Sequence, residues 1–129
     1  MASSGGVQWG DAPDEHDYPA AADYLALLAE EAQISEIVAA LKHAPIVHKK
    51  AKDLLRASRL QLLPEDNPHV RADLKKIKKG TPLSPILAVR GDLNTGLAMQ
   101  IADGYHRVCA SYHTDENTDI PVRIAPRTK

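Results

Sequence analysis

Residues 85–107 read PILAVRGDLNTGLAMQIADGYHR, and this stretch decides the fold class. PILAVR (85–90) has the unbroken apolar run of a buried strand. DLNTG (92–96) is turn-forming, and LAMQIA (97–102) reads as the returning strand. Asp103-Gly104 breaks that strand. YHRVCASYH (105–113) then takes helical spacing, with Tyr105, Val108, Cys109 and Tyr112 on one side. IPVRI (120–124) predicts a last short strand. A hairpin followed by a helix and a further strand describes a small mixed sheet with helices packed on it.

Upstream, Asn67-Pro68 pairs a capping side chain with proline at the first helical position. Val70, Leu74 and Ile77 face one way along that helix, and Gly80 closes it. Lys75, Lys76, Lys78 and Lys79 crowd its last turns, where cations suit the helix dipole. Leu60 to Leu63 is a short apolar run ended by Pro64, a strand or an extended connection. Before Ser58 the apolar spacing is helical throughout. Ala21, Tyr24, Leu25 and Leu28 form one stripe, and Ile34, Ile37, Val38 and Leu41 a second. Val47, Ala51, Leu54 and Leu55 form a third. The expected fold is α+β: a flexible tail over 1–15 with Trp9 as an anchor, an all-helical N-terminal extension over 16–58, and a core over 59–129.

The chain has 129 residues and a net charge of −1, with one Cys, one Trp and no Phe. One cysteine excludes an intrachain disulfide framework and a multi-cysteine zinc site. No apolar run approaches the roughly 20 residues needed to cross a bilayer, and no membrane partner is expected. Residues 1–15 lack the basic start and apolar stretch of a secretion signal, so the cytoplasm is the expected compartment. The charge is unevenly placed. Residues 1–41 hold eight acids and no Lys or Arg, whereas residues 42–79 hold eleven bases and four acids. A basic middle segment points to an anionic partner, a phosphate compound or nucleic acid, or to an acidic surface of the same or another chain. Lys49–Lys52 and Lys75–Lys79 are the candidate nucleic-acid surface, and the acidic helices are the candidate surface for a homodimer.

The chemistry concentrates in IADGYHR (101–107), where a strand ends and a helix begins. The first turn of a helix leaves backbone N–H groups unpaired, and the dipole adds roughly half a positive charge there. Gly104 permits close approach to the backbone. His106 and Arg107 put two further donors at that end, where cations oppose the dipole unless an anion joins them. Two arrangements fit: a bound phosphate, or Arg107 paired with Asp103 and His106 packed in the sheet–helix seam. Asp103 itself reads as a helix cap or as a general base. His106 and His113 lie about 10 Å apart along one helix, too far to share an ion, so no metal site is expected.

The stretch Arg59–Ile124 resembles the ParB/sulfiredoxin superfamily. Its parts occur in the family's order: Arg59 before a short extended segment, the helix opening after Asp66-Asn67-Pro68, Gly80, the strand PILAV, the Gly-x-His-Arg turn at Gly104–Arg107, and IPVRI. The family's platform binds ATP in sulfiredoxins and CTP in ParB proteins. The resemblance therefore implies a nucleotide phosphate-binding core for ATP or CTP, with or without Mg²⁺, acting as a slow hydrolase or a nucleotide-dependent switch. It implies that His106 and Arg107 grip the phosphates and that Arg59 is an upstream phosphate-contacting arginine. His69 and Lys76 fall where the sulfiredoxin helix presents ligand-contacting side chains, and Ala72 falls where it offers a serine. Tyr105 stands where sulfiredoxin has its nucleophilic cysteine, and Cys109 lies a helical turn beyond. Sulfinic acid reductase activity is therefore not expected. The alternative is a nucleic-acid-associated protein that binds the phosphate backbone through its basic helices.

Overall fold

The computed structural model describes residues 6–127. One four-stranded mixed sheet is built from β1 (Ile46–Lys50), β2 (Ile86–Val89), β3 (Gln100–Asp103) and β4 (Asp119–Ala125). The strand order is β1-β4-β2-β3. β4 runs antiparallel to β1 and parallel to β2, and β2 pairs antiparallel with β3. The helices are α1 (Asp17–Leu25), α2 (Glu31–His43), α3 (Ala51–Ser58), α4 (Pro68–Lys79) and α5 (Tyr105–Thr114). The α+β reading holds. Among the described residues no helix is long and apolar enough to cross a membrane.

Alternation along the strands gives the sheet two apolar faces. Ile86, Ala88, Ile101 and Val122 pack with Leu54 of α3, Val70 and Ile77 of α4, and Val108 of α5. Leu87, Val89, Ala102 and Ala125 point the other way, onto Tyr18, Ala21 and Leu25 of α1 and Ile37 and Leu41 of α2. All four residues of β2 are buried, which is why its sequence is apolar without alternation. Arg123 on β4 ties the second layer down. Its Nη1 donates to the carbonyls of Leu41, at 3.2 Å, and Lys42, at 2.6 Å, at the C-terminal end of α2.

Two expectations are corrected. Residues 46–50 are a strand, so the segment 16–58 is not all-helical. The i, i+4 spacing of Val47 and Ala51 mimics a helix stripe, but β4 supplies a partner ladder from Ile46↔Arg123 to Lys50↔Asp119. Because β1 belongs to the sheet, segments 16–58 and 59–129 share one sheet. Second, residues 7–10 of the expected flexible tail are held, with Trp9 as the anchor the sequence predicts. Leu83 N–H donates to the Gln8 carbonyl at 2.8 Å, Gly10 N–H donates to the Leu83 carbonyl at 2.9 Å, and Trp9 packs on the core. Residues 1–5 of the expected tail lie outside the described residues. Within the chain, the acidic helices α1 and α2 and the basic helices α3 and α4 pack on opposite faces of the sheet.

Candidate functional site

Two helix starts meet at the site. Asn67 caps α4, its side chain accepting from the amides of His69 at 3.0 Å and Val70 at 3.2 Å, with Pro68 in the first turn. Val70 and Ile77 turn into the core. Helical periodicity then sets His69, Ala72, Asp73 and Lys76 along the stripe beside that core face. α5 opens at Gly104, with φ 113° and no side-chain cap on the helix amides. A Cβ on Gly104 would lie 2.3 Å from Ile86 Cδ1 and 2.8 Å from Arg107 Nη2, so both the dihedral and the space demand glycine.

Between these starts lies an open cleft of about 390 Å³. His69, Asp73 and Lys76 form one wall, Gly104, His106 and Arg107 the other, and His16 and Asp17 of the α1 start close the end. The rings of His69 and His106 are 4.7 Å apart between centroids. The structure thus brings together five of the sequence-predicted site residues, drawn from segments far apart in the chain. Arg59 is not among them. It ends α3 in the left-handed region and lines two other grooves, beside Leu97 and beside Leu60.

Arg107 faces inward. Its Nη2 donates to Asp103 Oδ2 at 2.7 Å, and its Nη1 lies 3.5 Å from Asp17 Oδ2. The side chain is only 14% exposed and that of Asp17 only 7%. Ser84 donates its hydroxyl to the same Asp17 oxygen. Of the two arrangements open in the sequence, the pairing of Arg107 with Asp103 is the one present, and Asp103 is not a cap. An arginine held by two carboxylates does not lead with its charge into the cleft. What it does is fix the geometry of the α5 start.

The titratable groups respond to this burial. Desolvation pushes the Asp103 carboxyl above its ordinary value against the pull of Arg107, and the neighbouring Asp17 pushes the same way. Asp73 is also raised by burial, against the opposing pull of Lys76 and Arg107. His106 is lowered, first by burial and then by His69, with Asp73 opposing. A neutral His106 both donates and accepts hydrogen bonds. Cys109 is fully buried, and burial raises its thiol, which makes it an inert core residue. Tyr105 donates its hydroxyl to the Gln61 carbonyl at 2.6 Å, pinning the 60–63 segment to α5.

Asp73, Asp17, Ser84 and His16 complete the site and were not legible as site residues. Asp73 carried a signal, since it lies four residues after His69 and three before Lys76 on one helix face. Asp17 carried none, because only the fold brings α1 against α5. A second group, Asp14, His16 and Asp17, places its ligand-type atoms within 4.8 Å of one another at the mouth. Its buried member, Asp17, is already committed to Arg107 and Ser84. No protein-family model matches the chain, and neither a curated protein nor a solved structure is found to be similar to it.

Proposed function

We propose that the cleft between α4 and α5 binds the phosphates of a nucleotide, of ATP or CTP type, on a core of ParB/sulfiredoxin kind. One observation carries the reading: His69 and Lys76 of α4 converge on the uncapped first turn of α5 beside Gly104 and His106. Unpaired amides, the positive end of the dipole, a lysine and two imidazoles are the donor set a phosphate requires. The order of helix, apolar strand, Gly-x-His-Arg turn and closing strand also supports the family reading.

The roles differ from those the resemblance implies. Lys76, His69 and His106 meet the ligand, together with the α5 amides. Arg107 is a positioning residue. Of the three carboxylates lining the cleft, Asp17 and Asp103 pair with Arg107. Asp73 is left as the residue that would hold a Mg²⁺ carried in by the phosphates, since Mg²⁺ takes one or two carboxylates and otherwise keeps its waters. No side chain in the cleft is placed as an obvious nucleophile, so the reading is of binding and switching, with any hydrolysis slow.

Isothermal titration with ATP, CTP, GTP and pyrophosphate tests it. Lys76→Ala removes a charge-assisted contact of about 1.5–3 kcal/mol, or roughly 10- to 100-fold in affinity. Wild-type protein that binds none of these at millimolar concentration overturns the reading. Binding that is indifferent to Lys76→Ala moves the ligand out of this cleft.

A further inference from the structure

Apart from Tyr24, whose hydroxyl donates to Gln100, the large exposed apolar side chains among the described residues fall into two groups. Leu27 and Leu28, 80% and 58% exposed, occupy the turn between α1 and α2. Beside them a groove of about 440 Å³ is lined by Leu28, Glu30 and Glu36, in a part of the chain without a single Lys or Arg. Leu60, Leu62, Leu93 and Leu97 form the second group, and Leu93 is 99% exposed. Two grooves of about 350 and 520 Å³ run among them and share Arg56 and Arg59 as common lining. The first is rimmed by Glu30 and Glu36 alone, and the second mainly by Lys52, Arg56 and Arg59, with Asp92 and Glu116 at its edges.

We propose that these two surfaces dock on each other between copies of this chain, head to tail. The acidic leucine corner of one copy would seat on the arginine-centred leucine face of the next. The corner rides on the α1–α2 face of the sheet and the arginine face on the α3–α5 side, so the two cannot meet within one chain. Exposed leucines gain from mutual burial, and matched charges at the rim set the partner and the orientation. A nucleic-acid backbone would use Arg56 and Arg59 but would leave Leu93 and Leu97 in water. The acid-rimmed corner satisfies both halves of the surface. Two unlike patches make the contact heterologous, so it propagates into chains unless the rotation closes a ring. This inference does not depend on the phosphate reading.

Sedimentation velocity on the full chain tests it. At low salt the weight-average sedimentation coefficient should rise with protein concentration, and the rise should be markedly smaller at about 1 M NaCl, where the Debye length is about 3 Å. Leu27→Ser/Leu28→Ser and Arg56→Glu/Arg59→Glu each destroy one patch, and each should sediment as a monomer while keeping its circular dichroism spectrum. Mixed together, they retain one intact acidic corner and one intact basic face, and they should form a one-to-one dimer and nothing larger. Two results would overturn the proposal. One is a wild-type chain that stays monomeric at millimolar concentration in low salt, whether or not Arg56→Glu/Arg59→Glu abolishes binding of a labelled DNA duplex. The other is self-association abolished by the leucine changes and untouched by the arginine changes, which marks a symmetric contact between acidic helices.

Discussion

Asp17 Oδ2, in the first turn of α1, lies 3.5 Å from Arg107 Nη1, across 90 residues of sequence. The contact joins the helix layer on one face of the sheet to the helix start that forms the cleft. Asp103 takes the other arm of the same guanidinium at 2.7 Å. One arginine therefore bridges two carboxylates, whose combined charge it does not fully balance, in a place where burial and Asp17 already raise Asp103.

Arg107→Ala should unfold the protein more readily rather than merely weaken a ligand. Removing one partner of a buried pair leaves uncompensated charge and costs roughly 3 kcal/mol, here from both Asp17 and Asp103. Urea denaturation at neutral pH should show that loss as a lower midpoint with an unchanged slope. The deficit should shrink as pH falls, because a carboxyl raised in the folded state takes up its proton before the unfolded one does. A deficit that is small, or constant with pH, would mean the pair is solvated and Arg107 is free for a ligand.

His106 gives a pH dependence of opposite sign. Its folded pKa lies below the ordinary 6.5, so the folded state resists protonation that the unfolded chain accepts. Stability from this residue is complete above about pH 6.5 and declines as pH falls toward the lowered value. The raised Asp73 and Asp103 act the other way, gaining stability as pH falls toward 3.8. Subtracting the His106→Gln profile from wild type isolates the histidine. A phosphate in the cleft favours the imidazolium, so the pyrophosphate affinity of wild type relative to the variant should rise as pH drops from about 7.5 to about 6. A pyrophosphate affinity with the same pH slope in both proteins removes His106 from the site.

Gly104→Ala should damage both folding and binding. The substitution forces alanine to φ 113° and puts its Cβ 2.3 Å from Ile86 Cδ1, in the centre of the core. The left-handed backbone and the overpacking together cost roughly 2–4 kcal/mol. Thermal unfolding measures the first effect and titration with ATP the second. A variant as stable as wild type would show that the α5 start can shift at little cost.

Legibility tracked the range of the interaction. The α4 start was readable because Asn67 caps amides two and three residues away, and β2 because Ile86–Val89 is buried on both faces. Strand β1 was not, because five residues containing Val47 fit either period until β4 supplies its ladder. In the cleft, the His69–Lys76 face and the Gly104 turn were local patterns. The pairing of Arg107 with Asp103 is one helical turn long and was foreseen as one of two outcomes. Its pairing with Asp17 depends on where α1 packs, which no local pattern encodes.

Arg59 separates the resemblance from the geometry. It holds φ 59° and ψ 28° at the C-cap of α3, the single positive-φ residue other than glycine among the described residues. That conformation costs a non-glycine residue roughly 1 kcal/mol, and glycine is the usual occupant of such a cap. Its amide is directed at the carbonyls of Arg56 and Leu55, bonds that glycine keeps. Arg59→Gly should therefore raise stability by about 0.5–1 kcal/mol in chemical denaturation. Because Arg59 does not line the α4–α5 cleft, the same variant should bind ATP, CTP or pyrophosphate as wild type does. A tenfold loss of affinity would show that Arg59 swings onto the ligand in the bound state, as the resemblance to ParB/sulfiredoxin sequences would imply. An unchanged affinity with a lower denaturation midpoint would show instead that the arginine side chain stabilises the α3 end more than the strained backbone costs.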